Sequence, residues 1–448
     1  MSKTKNSGKI LIIIDIAKRD LKACCHVGYF LASKYKYKVI FSNTKNEIAM
    51  MIYYRPKVIV LSHLQYERFE SVIKFAKKLS VKICILPAEG IPANNESFLP
   101  VYGDKKFLDS ISLFITWGNL IHENIEKIYG KEKVALCGSP RMDTHNKLYK
   151  DLFASRKEMF QKYGMNEKFP LVTCFSFGGY LKGKIEDLLQ NIRTKNELAH
   201  SAWTEDRILS QRMTDILIKE FFEKYSAKHK DINFAYRPHP LDEPELYNDF
   251  LKNNPHIKLI DPSIPIEETL MYSDVFVGYP CTATLDAYTN NLNIKAIFIR
   301  HPELKHILGF QEEMMSCSMV VKYYEDFEKL MDNALYGNGK MWMEFNKIRY
   351  NFIQKYLMDN SGKASENCAD AIHRLSAQTD SLSYLNKDFL LKTLRMFIRK
   401  QIKGHCLDLK RESSHNKYLD PEKIHDWMNR FDKILNNNLD NNNYIIEI

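Results

Sequence analysis

An arginine and a histidine separated by a single proline close an apolar run, in Phe234-Ala-Tyr-Arg-Pro-His-Pro240. Pro238 and Pro240 cannot continue a central strand and stiffen the turn around His239. Such a turn presents Arg237 and His239 at the carboxyl edge of a sheet. There Arg offers phosphate a bidentate fork, and His donates a hydrogen bond to a phosphoryl oxygen. The plainer account is a strand-ending turn with an exposed His; a His clamped between two prolines favours binding. A second stretch, Ser273-Asp-Val-Phe-Val-Gly-Tyr-Pro-Cys-Thr-Ala-Thr-Leu-Asp-Ala287, reads as a short strand ending at Gly278, then a helix starting near Cys281 or Thr282. The N–H groups and positive dipole end of a helix start attract an anion, and Thr282 and Thr284 add hydroxyl donors. Asp286, one turn further, is placed to accept from a ribose hydroxyl. Ordinary capping by Thr282, with Asp286 merely favourable to the dipole, accounts equally well for this stretch alone. Joined with Arg237 and His239 in one domain, it is better read as a nucleotide phosphate site.

A third stretch, Leu86-Pro-Ala-Glu-Gly-Ile-Pro92, also lies just past a strand-like run. It leaves Glu89 at a sheet edge, where a carboxylate serves as general base; a solvated loop glutamate is the commoner fate of any single Glu. Arg19 and the run Cys137-Gly-Ser-Pro-Arg-Met-Asp143 fall at strand ends as well, and Arg141 equally suits an interdomain salt bridge. No DxD-like acidic motif stands at a strand end. A metal-independent reaction is therefore expected, with no cofactor. Arg237, His239 and the helix start would stabilise the departing phosphate electrostatically.

Two series of short apolar runs must position these residues. The first comprises Lys9–Asp15, Lys38–Phe41, Val58–Leu61, Lys82–Leu86, Leu113–Thr116 and Val134–Cys137. The second comprises Leu171–Phe175, Ile232–Tyr236, Ile257–Ile260, Val275–Val277, Lys295–Ile299 and Met319–Val321. They lack period-two alternation, as parallel strands covered on both faces do, and they alternate with helical stretches. The expectation is α/β: two doubly wound Rossmann-like domains facing a cleft, with a helical C-terminal tail. Boundaries are drawn at 1–145 for the first Rossmann-like domain, 146–168 for a helical linker, 169–340 for the second Rossmann-like domain and 341–448 for a helical region. Its Asn-rich end, Asn436 to Asn443, is expected to fray.

At 448 residues the chain is long enough for two or three domains with real cores, and its 45% hydrophobic content excludes wholesale disorder. Nine cysteines without regular spacing read as reduced thiols in a cytoplasmic protein, not as metal ligands. No run approaches the roughly 18 apolar residues of a membrane span, and Ile10–Ile14 reads as a buried strand and not as a signal peptide. The net charge of +10 admits nucleic acid, anionic membrane or phosphorylated small molecules. Basic residues are dispersed among acidic ones and no nucleic-acid motif appears, so no nucleic-acid partner is expected. In 389–403, Leu390, Leu391, Leu394, Ile398 and Ile402 line one helical face, and Lys392, Arg395, Arg399 and Lys403 another. That pattern suits peripheral attachment to the anionic inner membrane face, or packing on the protein body.

Arg19-Asp-Leu, Glu89-Gly, Trp117-Gly, Gly138-Ser-Pro-Arg-Met-Asp143, Arg237-Pro-His-Pro240 and the Thr282-to-Asp286 helix start occur in an order that is familiar. Over roughly residues 9 to 330 the chain resembles bacterial surface-carbohydrate (capsule and lipopolysaccharide) biosynthesis proteins, which are similar to GT-B glycosyltransferases. More distantly it resembles capsule Kdo transferases and CDP-glycerol glycerophosphotransferases. The resemblance implies a donor nucleotide in the second domain, with His239 on phosphate, helped by Thr282 and Thr284, and Glu89 on the acceptor side. Cys281-Thr282 stands where many relatives have Ser-Ser or Ser-Thr, and Asp286 where many have Glu. The function so implied is transfer from a nucleotide-activated sugar, with CMP-Kdo or a CMP-nonulosonate favoured because a CMP donor leaves one phosphate. The acceptor would be a surface polysaccharide or a lipid-linked glycan. The alternatives are a CDP-glycerol-type transferase, a non-catalytic nucleotide-sugar-binding assembly protein and a sugar-nucleotide epimerase.

Overall fold

The computed structural model describes residues 8–44, 46–63, 68–88, 91, 109–176, 205–239, 247–303, 309–358, 361–378, 419–437 and 439–447. The chain forms two compact units, one of Met1–Gly90, Leu99–Asp143 and Tyr356–Ile448, the other of Ile91–Phe98 and Thr144–Lys355.

The first unit is built on β1 (Lys9–Ile14), β2 (Lys38–Asn43), β3 (Val58–Leu61), β4 (Lys82–Ile85), β5 (Leu113–Thr116), β6 (Val134–Leu136) and β13 (Tyr444–Glu447). They form one sheet in the order β13-β2-β1-β3-β4-β5-β6, every pair parallel. Ile10, Leu11 and Ile12 of β1 are wholly buried, as a central parallel strand with both faces covered requires. Strand order reverses at β1, whose neighbours β2 and β3 lie on opposite sides. The crevice beyond the carboxyl ends of β1 and β3 is thus the natural ligand position of this sheet.

The second unit contains β7 (Leu171–Phe175), β8 (Asn233–Arg237), β9 (Ile257–Leu259), β10 (Val275–Gly278), β11 (Lys295–Ile299) and β12 (Met319–Val321). Their order is β12-β11-β10-β7-β8-β9, again all parallel. Here the reversal falls between β7 and β10. Gly278 ends β10 at that point, and a Cβ there would stand 3.1 Å from the Phe175 carbonyl oxygen. Each unit is therefore a doubly wound, Rossmann-like α/β domain.

The expected boundaries shift in three places. The stretch read as a linker belongs to the second unit. Ser155 and Glu158 form a reciprocal cap on the Arg156–Tyr163 helix, and Met159 and Phe160 pack with Leu171, Ala235 and Ile260. The C-terminal region is divided between the two units. In the Phe345–Leu357 helix, Arg349 donates to the carbonyls of Cys317, Leu292 and Ile294 in the second unit, and from Tyr356 onward the chain belongs to the first. There His26 stacks on Phe431 with ring centroids 4.1 Å apart, and Tyr29 donates to Asp432 at 3.0 Å. Just past the Asn-rich run the chain is ordered into the first sheet: β13 pairs with β2 through Tyr444↔Val39 to Glu447↔Ser42, and Tyr54 bonds Glu447. The open edge of β2 supplies the partner that local composition does not reveal. Among the described residues no helix is long and apolar enough to cross a membrane; the 389–403 stretch lies outside them.

Candidate active site

In the second unit, β8 and β10 flank β7, so their carboxyl ends open on the same edge about 10 Å apart. β10 leads through Tyr279 and Pro280 into the Thr282–Asn290 helix. The Thr284 hydroxyl accepts from the Cys281 N–H at 3.2 Å, and Cys281 caps the helix reciprocally. Thr284 is thus a buried cap and not a ligand donor, a correction of its expected role. Thr282, the first helical residue, is exposed. Ser176, at the end of β7, is buried on the same edge and accepts from the Tyr247 hydroxyl at 3.3 Å.

Two further expectations change. Arg237 is 5% exposed, and its guanidinium donates to the Ile264 carbonyl at 2.8 Å, the Thr269 hydroxyl at 3.3 Å, and the carbonyls of Pro262 and Asp261. Burial lowers its pKa to about 10, leaving it cationic at neutral pH. Its fork is used to fasten the end of β8 to the 261–269 segment, so it positions the edge instead of gripping phosphate. Asp286 is fully buried and lies 2.9 Å from His145 Nε2, so its carboxylate holds a histidine where a ribose hydroxyl was expected. Beside that pair, Thr144 donates to Glu267, also buried. His239, partly exposed just beyond β8, stays at the strand edge. Glu89 lies outside the described residues.

The carboxyl edge of the first sheet carries a second constellation. Asp15 follows β1 and His63 follows β3, with Asp15 Oδ2 3.5 Å from His63 Nε2. Next to them opens a pocket lined by Ile13 of β1, Val60 and Leu61 of β3, and Arg19, Trp117 and Arg141. The glycine-proline motif beside it has a structural cause. Gly138 adopts φ +86° with its Cβ position only 3.0 Å from Ala364, and Asp143 accepts from the Ala364 and Ser365 N–H groups at 2.9 and 2.6 Å. The motif thus caps the Ala364–Ala377 helix. His145 and the Asp15–His63 pair were missed from the sequence. The reversal of strand order at β1 is the signal that brings Asp15 and His63 together, while no local signal marks His145.

No protein-family model and no curated protein matches this sequence. Solved structures do match in shape. The UDP-GlcNAc 2-epimerase from Neisseria meningitidis, solved with UDP-GlcNAc bound, has a TM-score of 0.53 at 11% identity, covering 82% of this chain and 100% of its own. The putative UDP-N-acetylglucosamine 2-epimerase from Listeria monocytogenes gives 0.54 at 10%, covering 84% and 99%. The wall teichoic acid polymerase TagF, soaked with CDPG, gives 0.53 at 13%, covering 83% and 90%. At such identities the likeness defines the fold, which is GT-B-like: two Rossmann-like α/β domains.

Proposed function

We propose that the protein is a GT-B-like transferase of surface-polysaccharide biosynthesis, which takes a nucleotide-activated donor in its second unit and an acceptor hydroxyl at the strand edge of its first. The observation that carries the reading is the exposed start of the Thr282–Asn290 helix at the β7/β10 reversal point, with His239 beyond β8 on the same edge. Helix N–H groups, the dipole, the Thr282 hydroxyl and His239 suit a nucleotide phosphate. The fold is shared with an epimerase solved with UDP-GlcNAc and a polymerase soaked with CDPG, which supports a nucleotide-linked donor.

In the reaction, the acceptor oxygen bonds to the transferred group as the bond from that group to the nucleotide phosphate breaks. The leaving phosphate keeps the electron pair, stabilised by the helix start and His239. The acceptor proton passes to a base on the acceptor side, either Glu89, the candidate the sequence offers, or His63 of the first sheet's edge, 3.5 Å from Asp15. CMP-linked acidic sugars remain the favoured donors, and CDP-glycerol is the specific second reading because of the TagF likeness.

Isothermal titration with CMP, CDP and UDP tests the donor site, and failure of all three to bind removes the reading. Glu89→Gln and His63→Asn then separate the bases: the true one loses turnover by about 10²–10⁴-fold with nucleotide affinity kept. Product formed from a nucleotide sugar without any acceptor would identify an epimerase instead.

A further inference from the structure

We propose that the pocket beyond β1 and β3 of the first unit binds a phosphate monoester carried by the acceptor. This deepens the acceptor assignment above and rests on it. The pocket lies where the strand order reverses, the position at which parallel sheets take ligands.

The polar lining favours an anion. Among the described lining residues, Arg19 and Arg141 are cationic and Asp20, paired with Arg19, is the one carboxylate. Asp20 is directed back into the protein. It accepts from Arg19 Nε at 2.5 Å, from Arg19 Nη2 at 3.1 Å and from the Ile16 N–H at 3.1 Å. Arg19 is thereby held in one orientation at the start of the Ala17–Ser33 helix, whose dipole adds to the positive potential. An independent sign comes from Trp117, which lines the pocket at 3% exposure and whose Nε1 finds no acceptor among the described residues. Buried donors are nearly always paired, so an indole N–H left over in a cationic pocket points to an oxygen supplied by a ligand. Trp117 follows β5, Arg141 lies beyond β6 and Arg19 opens a helix. Donors reaching one pocket from three elements fit a tetrahedral phosphate better than a planar carboxylate.

The test is titration of the full chain, first saturated with CDP so that the donor site is closed to phosphate. Glycerol phosphate is the probe, with inorganic phosphate, acetate and glycerol beside it. Glycerol phosphate is expected to bind, with inorganic phosphate weaker and glycerol silent. Trp117→Phe keeps the ring and loses the N–H, and should weaken binding about tenfold, the scale of one hydrogen bond to a charged group. Arg141→Lys keeps the charge and loses the fork, and should weaken it by several-fold; both variants should hold CDP as tightly as the wild type. The proposal is overturned if glycerol phosphate does not bind, or if folded Trp117→Phe and Arg141→Lys bind it unchanged. Acetate binding as well as phosphate would overturn the phosphate assignment, and inorganic phosphate binding more tightly than its ester would overturn the acceptor assignment. If the wild type fails to bind CDP, the donor reading falls by itself, and the same titrations on the unliganded chain decide the pocket.

Discussion

At the carboxyl edge of the second sheet, Arg237, Thr284 and Asp286 are at most 5% exposed, and each is bonded inside its own unit. At the edge of the first, the Arg19 side chain is 23% exposed, Arg141 is partly exposed, and both line an open pocket. Similar residue types thus serve two ends. Deeply buried polar groups with several partners fix backbone, and their removal leaves a partner stranded. Partly exposed cations at an opening, even when paired as Arg19 is, stand in reach of what enters. In the second unit, ligand contact passes to the groups that the buried ones hold in place: the helix start, Thr282 and His239.

The largest expected effect breaks the buried side of this comparison. Asp286→Ala takes the buried carboxylate away from His145 Nε2, and should cost about 1–3 kcal/mol of stability in denaturant unfolding. Asp286→Asn, which preserves an acceptor for a neutral His145, should cost distinctly less. Arg19→Ala in the first unit removes a partly exposed cation while Asp20 keeps the Ile16 N–H, and should cost less than Asp286→Ala. Equal losses for Asp286→Ala and Arg19→Ala would abolish the distinction between the two edges.

A smaller effect concerns acid. His26 of the first unit is fully buried against Phe431, and burial, with Lys22 contributing, lowers its pKa to about 3. Unfolding restores an ordinary imidazole of pKa about 6.5. Between those values the unfolded chain binds a proton that the folded chain does not, so stability is full above pH 6.5 and declines as pH falls toward 3. The slope from this group should approach about 1.4 kcal/mol per pH unit in the middle of the window. His26→Phe should flatten that part of the thermal-stability profile measured against pH. An unchanged slope would place the acid sensitivity elsewhere, in groups other than the core of the first unit.

How much of this was legible in the sequence follows from the range of the forces involved. Runs such as Lys9–Ile14 announce central parallel strands, because burial of both faces demands continuous apolar residues and nothing remote decides it. β13 gave no such sign. Four residues after an Asn-rich run become a strand only because β2 offers an unpaired edge some four hundred positions earlier. The return of the tail to the first unit is likewise written in distant pairs, Tyr29 with Asp432 and Lys34 with Glu366. In the site, Arg-Pro-His-Pro and the helix start correctly mark turns at a strand edge. They do not reveal whether a side chain turns inward, which for Arg237 depends on the carbonyls of Pro262 and Ile264. The first-unit pocket draws on separated segments and has no local motif of its own.

The smallest expected effect sharpens the comparison within a single helical turn. Thr282 is exposed and Thr284 fully buried, two positions apart on one helix start. Thr282→Ala removes one hydroxyl that can reach a phosphate, and should weaken nucleotide binding about tenfold at most. Its unfolding midpoint should not move measurably, since exposed substitutions stay within about 0.5 kcal/mol. Thr284→Ala removes the acceptor for the Cys281 N–H and should cost about 1 kcal/mol of stability, as lost caps do, with nucleotide affinity changing less than for Thr282→Ala. The two variants, compared by titration and by unfolding, therefore exchange their effects. The opposite exchange, with affinity lost at Thr284 and unchanged at Thr282, would mean that the buried face of the helix reaches the ligand and that this edge, too, uses its inward side chains for binding.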